Sequence, residues 1–317
     1  MTETLQERSP RVGDGEARTG RRRRSAAART HPGLWLFPLP ALVLYVVFFA
    51  GPTIQAFQYS ITDWDGFSAA YQNVGATNFE NIATNDDLFL GAATNNLKFL
   101  LVVVIAQTVL SLLLAVLLQR NSRSSTTLRA LFFLPAILSS VSVAFVWKFM
   151  YDPNFGLINQ VLGGIGLDGL KSSFLGNAST AIYWVALTQV WAHAGQLMVI
   201  FVAGLQQIPE ELYESAALDG ASQWQRFRFV TWPLIAPATA IVVAYTTIQS
   251  FKAFDLILGL GGNPPKGSLD ILSTRIYTTF TNSRFGYAAA ESIVFMVIIA
   301  LVSFLQRRAV RLTQHGV

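Results

Sequence analysis

Gln189, His193 and Gln196 are spaced i, i+4 and i+7 within a long run of apolar residues. That spacing puts two amides and an imidazole on one face of a helix. Polar side chains in a membrane-length run are costly unless they face protein or water, so such a face is a default candidate for a solute pathway. Amides and an imidazole offer donors and acceptors together, which suits neutral hydroxyls, and Trp191 and Tyr183 supply aromatic surface nearby. The competing reading is hydrogen bonding between neighbouring helices, a regular use of Gln and His in membranes. Covalent chemistry has less to draw on. Of the three histidines, His31 and His315 lie in the tails, the acids do not cluster, and there is no cysteine. Disulfides, iron–sulfur clusters and thiolate metal sites are therefore excluded, and no metal site or catalytic constellation assembles; the chain is expected not to be an enzyme. Gly164-Ile165-Gly166-Leu167-Asp168-Gly169 fits G-x-G-x-x-G, but no strand precedes it, and G-x-x-x-x-G-K-[ST] occurs nowhere.

The elements that must hold the polar face are membrane spans. Hydrophobic residues make up 52% of the 317 and charged residues 13%, about half the charge of an ordinary soluble domain, and the mean hydropathy is +0.42. Six apolar runs approach or exceed the roughly 20 residues that cross hydrocarbon: 33–58, 99–119, 130–147, about 180–208, 231–251 and 285–306. The expected fold is an all-α polytopic membrane protein of six transmembrane helices. Its domain (33–306) lies between a disordered basic tail (1–32) and a short C-terminal tail (307–317). Short surface helices are expected at Asn78-Phe79-Glu80-Asn81 and Leu157-Ile158-Asn159-Gln160, where a cap-forming residue meets apolar spacing.

Lysine and arginine placement gives the orientation. The first tail holds eight arginines, including the run Arg21 to Arg24; Arg120, Arg123 and Arg129 follow the second span, and Arg307, Arg308 and Arg311 follow the sixth. The first-to-second connection has Lys98 against Asp63, Asp65, Glu80, Asp86 and Asp87. Both termini are therefore expected inside, in a multi-pass cell-membrane protein. The tail is not expected to be a signal peptide, because the apolar block after it is too long and its small residues precede that block. It has no aromatic platform for nucleic acid and reads as a topogenic anchor that touches anionic lipid.

Between the fourth and fifth runs, Glu214 to Pro233 read E-S-A-A-L-D-G-A-S-Q-W-Q-R-F-R-F-V-T-W-P. Pro209 can open a helix, and Glu210 and Glu211 then lie in its first turn, where the dipole favours negative charge. Gly220 can end that helix in the left-handed conformation, and Ser222 with Gln225 has the spacing of a capping box that restarts one. Ala216 and Ala217 keep one face thin enough to enter a groove. A cytoplasmic hairpin of this kind has nothing of its own to fold against.

This stretch, at 209–233, resembles the EAA loop of ABC-importer membrane subunits, E-A-A-x-x-D-G-A followed by Gln, Phe and Pro. Glu214, Ala216, Ala217, Asp219, Gly220, Ala221, Gln225, Phe227 and Pro233 match, and Ser215 departs as one small residue for another. The resemblance extends over about 34–306. Asn78-Phe79, Asn95-Asn96-Leu97, Ile208 to Tyr213, Phe251 to Asp255, Gly261-Gly262, Arg275-Ile276-Tyr277 and Phe285 to Ala290 look like the sugar-uptake, maltose-type branch of these permeases. Asn263 departs, standing where that branch has Pro directly after the glycine pair.

The resemblance implies a type I importer permease, one of two homologous membrane subunits that form the pathway together. Two ATPase subunits would dock on the EAA loops and hold the ATP and magnesium, this chain binding no cofactor, and a separate extracytoplasmic sugar-binding protein would deliver substrate. It carries the coupling role onto Glu214, Ala216, Ala217, Asp219, Gly220 and Ala221, and substrate contact onto Gln189, His193, Gln196, Ser250 and Ala253. Two charged features stand apart. Lys252 and Asp255 are three residues apart and are expected to pair, although a cation there could suit an acidic substrate. Glu291 is expected to reach the membrane interface or a partner chain. The alternatives are an ABC permease for another solute class, an ion-coupled secondary transporter, for which no matching broken halves are visible, and a membrane-embedded enzyme.

Overall fold

The computed structural model describes residues 36–314; the arginine run, His31 and His315 lie outside the described residues. The described residues fall into two compact units, 36–51 and 52–314. The first contains α1 (Leu39–Tyr45) and a π-helical turn, Val46–Ala50.

The second unit begins with α2 (Gly51–Tyr59) and α3 (Thr77–Thr84), then α4 (Asp87–Leu118), α5 (Arg123–Phe133), α6 (Ser140–Met150), α7 (Leu157–Gly164) and α8 (Ala181–Leu205). There follow α9 (Glu210–Leu218), α10 (Gln223–Arg226), α11 (Trp232–Leu234), α12 (Ala236–Phe251), α13 (Asp255–Gly261), α14 (Leu272–Thr281) and α15 (Phe285–Gln314). The fold is all-α. Four helical stretches are long and apolar enough to cross a membrane, Leu39–Tyr59, α4, α8 and Phe285–Arg308, and two bent pairs bring the number to six.

The third and fifth expected spans are the bent pairs. Arg123–Ile137 and Ser140–Met150 meet at 98°. A 3-10 turn containing Pro135 ends the first, Leu138 is extended at ψ 147°, and Ser139 caps the second by accepting from the Ser142 N–H. Gln223–Leu234 and Ala236–Phe251 meet at 65°, with Pro233 before the bend and Pro237 after it. A proline removes a helix hydrogen bond and clashes with the preceding turn, so the direction changes where the residues stay apolar. The short helices expected near Asn78 and Leu157 are α3 and α7, and the third outer loop, about 252–284, carries two more, α13 and α14. The second span starts earlier than expected, at Asp87, where the Asp86 carboxylate caps the Phe89 N–H at 2.9 Å.

α4 and α8 form the central pair. Phe99, Val103, Val185 and Ile257 lie in one buried cluster, and Leu197, Met198, Phe201 and Ile235 in another toward the α9 end. Ser111 Oγ donates to the Ala194 carbonyl at 2.9 Å and links the two helices. Gly195 admits the α5 backbone, since a Cβ there would collide with the Phe132 carbonyl. At the opposite end two of the asparagines that resemble the sugar branch, Asn78 and Asn95, serve the backbone. Asn78 Nδ2 donates to the Ser60 and Thr62 carbonyls, both at 2.9 Å, and Asn95 Nδ2 to those of Gly267 and Asp270 at 2.9 and 3.0 Å.

Glu291 does not reach an interface. It is 0% exposed, and its Oε1 lies 3.4 Å from Nε of Arg275 on α14. Arg275 also stands 3.6 Å from Asp86, whose Oδ2 accepts from the Tyr287 hydroxyl at 2.9 Å. A charge that deep needs a counter-charge, and α14 supplies one from a loop helix whose place in space the residue order does not reveal.

Candidate functional site

The stretch after α8 is built from local signals. Pro209, extended at ψ 135°, precedes α9, and Glu210 and Glu211 occupy its first turn. Gly220 has φ 77°, its N–H donates to Ala217 O at 3.0 Å, and the Ala221 N–H donates to Ala216 O at 2.9 Å. Those two bonds make a Schellman turn, which requires the left-handed residue that glycine supplies. Ser222 and Gln225 then form the full capping box that starts α10. Neither α9 nor α10 contains a buried residue. Glu214, Ala217, Asp219 and Gly220 are exposed and Ala216 and Ala221 half-buried; Leu218 is 91% and Trp224 69% exposed. The hydroxyls of Tyr213 and Thr231 lie 3.0 Å apart at the base of the hairpin, and Phe227 packs against the buried cluster of Phe201 and Ile235.

A polar cavity of about 240 Å³ opens between α8 and α12. α8 contributes Gln189 and His193, α12 contributes Tyr245 and Gln249, and Lys252, Ala253 and Asp255 come from the α12–α13 junction. Gln189 is buried, and its carbonyl lies 3.2 Å from His193 Nδ1, which fixes the ring against its own helix. Gln107 of α4, fully buried, donates to Gln249 Oε1 at 3.4 Å from behind.

Of the five expected pathway residues, the structure brings Gln189, His193 and Ala253 to this cavity. Gln196 lies one turn farther along, its Nε2 donating to the Tyr245 hydroxyl at 3.1 Å. Ser250 is not brought there: it is fully buried and its hydroxyl donates to Thr246 O at 2.8 Å. The expected Lys252–Asp255 pair does not form. Among the described residues the ion pairs are Lys171–Asp168, Arg275–Asp86 and Arg275–Glu291. Lys252 caps the end of α12 while Asp255 starts α13, so the i, i+3 proximity of a continuous helix is lost.

Tyr245, Gln249 and the facing role of Lys252 were missed. They repeat the spacing of Gln189, His193 and Gln196, i, i+4 and i+7, on the facing helix. Two helices thus present matched polar stripes to one groove.

The model of the binding-protein-dependent transport system inner membrane component family matches residues 107–314. The chain belongs to that family. It is an ABC importer permease, a transport component with multiple membrane spans, and the matched region takes in the cavity and the hairpin together. The multiple sugar-binding transport system permease protein MsmF of Streptococcus mutans is 33% identical over 86% of this chain and 93% of its own. The diacetylchitobiose uptake system permease protein NgcF of Streptomyces coelicolor is 32% identical over 87% of this chain and 81% of its own. Among solved structures, a chain of a bacterial alginate ABC transporter in complex with an alginate pentasaccharide-bound periplasmic protein superposes with a TM-score of 0.77. It is 23% identical and is covered over 94% of its length, against 89% of this chain. At that identity the likeness establishes the fold of the permease.

Proposed function

We propose that this permease is one of two homologous, non-identical membrane subunits of an ATP-driven sugar importer, with the α8–α12 cavity as its share of the translocation pathway. Sugar permeases stand among its relatives at 32–33% identity over most of both chains, and the amides, phenol and imidazole around the cavity suit hydroxyl groups.

The hairpin carries this reading. Residues 209–233 hold two exposed helices with no core of their own, locked by a Schellman turn and a capping box. A shape fixed that firmly without burial is a shape for a partner. Glu214, Ala216, Ala217, Asp219, Gly220 and Ala221 couple it to an ATPase subunit, which holds the ATP and magnesium. The hairpin and both termini face the cytoplasm of a bacterial cell, and an extracytoplasmic sugar-binding protein loads the opposite face. Lys252 at the cavity wall, free of Asp255, favours as second reading a solute with an acidic group.

Reconstitution of the chain with its sister permease, ATPase and binding protein tests the proposal. Uptake should require ATP and the binding protein and should persist when a proton ionophore collapses the ion gradient. Uptake by this chain alone, abolished by the ionophore, would replace the reading with an ion-coupled transporter.

A further inference from the structure

The groove between α8 and α12 holds two cavities in line. The first is the polar cavity. The second, about 570 Å³, lies toward the hairpin and is lined by Val199 and Ala203 of α8, by Gln207 in the turn after it, and on the facing side by Leu234, Ala238 and Ile241. On α8 the positions 189, 193, 196, 200 and 203 step by three or four residues, one continuous helical stripe. On the facing side 252, 249, 245, 241 and 238 do the same along α12 and its cap, and Leu234 follows beyond the bend. The α8 stripe runs about 21 Å at 1.5 Å per residue.

Gln196 and Tyr245 occupy the middle of both stripes. Tyr245 lines the polar cavity, and the next lining residues toward the hairpin, Val199 and Ile241, belong to the apolar one. The 3.1 Å bond from Gln196 Nε2 to the Tyr245 hydroxyl therefore crosses the groove where its character changes. Both side chains are partly exposed, Tyr245 at 40%, so they can part without disturbing the buried clusters.

We infer that the Gln196–Tyr245 hydrogen bond is a bar across the half-pathway, closing the polar cavity from the apolar one and opening when solute passes. It rests on the reading of the polar cavity as the solute route. The chemistry is selective in itself. A solute hydroxyl can replace the phenol as acceptor for the Gln196 amide and can satisfy the phenol in turn, so a polyhydroxylated solute exchanges with the bar at little cost. A solute without such groups leaves both partners unpaired, which is unfavourable. Gln196 is then a gate residue as well as a ligand.

The absence of cysteine from the chain makes the test direct. In vesicles carrying the full transporter, Ala203→Cys reports on the apolar cavity and Ser140→Cys on the polar one. A charged, membrane-impermeant methanethiosulfonate is added from the hairpin side. With the bar intact, Ala203→Cys should react and Ser140→Cys should be protected. Adding Tyr245→Phe should raise the Ser140→Cys rate roughly three- to tenfold, the worth of one neutral hydrogen bond, and leave the Ala203→Cys rate unchanged. Gln196→Leu should do the same and serves if the first variant assembles poorly. Equal Ser140→Cys rates with and without both substitutions overturn the bar. If the rates change as expected but Gln189→Ala and His193→Phe leave uptake untouched, the bar stands and the solute-route reading falls.

Discussion

Arg275 Nε lies 3.4 Å from Glu291 Oε1, and the same guanidinium faces Asp86 at 3.6 Å. One cation thus holds a fully buried carboxylate of α15 and the residue that caps α4. Removing it should leave two carboxylates without a counter-charge. Arg275→Met is expected to destabilise the protein by about 3 kcal/mol, read as a lowered unfolding temperature in detergent. The double variant Arg275→Met with Glu291→Leu should recover part of that loss, because an apolar pair of similar volume replaces a buried charge pair well. A double variant no more stable than the single one would remove the ion pair from the account.

The hairpin separates folding from coupling. Gly220→Pro forces φ near −65° where 77° is required and takes away the N–H that bonds Ala217; Glu214→Lys reverses an exposed charge. Both variants should insert and unfold much as the parent does, yet lose uptake, and should fail to co-purify with the ATPase or hold it without coupling. Normal substrate-stimulated ATP turnover in reconstituted vesicles would contradict the proposed role.

Cavity substitutions should act on transport. Gln189→Ala removes hydrogen bonds worth about 0.5–1.5 kcal/mol each, so uptake should slow several-fold while the binding protein keeps its affinity. His193→Phe should slow it further, since the ring loses its polar atoms and fills more of about 240 Å³. If both variants transport normally and only unfold earlier, these side chains are contacts between helices.

Gly195→Ala tests packing alone. Its Cβ would meet the Phe132 backbone, which cannot rotate away, so a loss of about 1–3 kcal/mol is expected from overpacking. Thermal unfolding should show this without any change in ATPase association. An unaltered transition would mean that α5 moves freely against α8.

What the residues disclosed depended on how locally each feature is determined. The hairpin was legible because Gly220, Ser222 and Gln225 act within a few positions of one another. The polar face of α8 was legible from period alone. The bends at Leu138 and Ile235 were not, since apolar runs continue through them and hydropathy carries no direction. Glu291 was misplaced because its partner is 16 residues earlier on a separate helix, α14. Lys252 was assigned to its neighbour Asp255 when its relevant neighbours, Tyr245 and Gln249, had the same spacing already noticed on α8. Ser250 differs from Gln249 by one residue, about 100° of helix rotation, enough to turn it from the groove to the core.

The hairpin's self-sufficiency bears on how a motor subunit would use it. Association ordinarily costs the entropy of ordering whatever was loose beforehand. Here the Schellman turn at Gly220 and the box of Ser222 and Gln225 hold the shape by bonds within the hairpin, so little ordering is left to do at the moment of binding. Displacement at the base of the element, where Tyr213 meets Thr231, then travels through a stiff lever instead of being absorbed by a soft one.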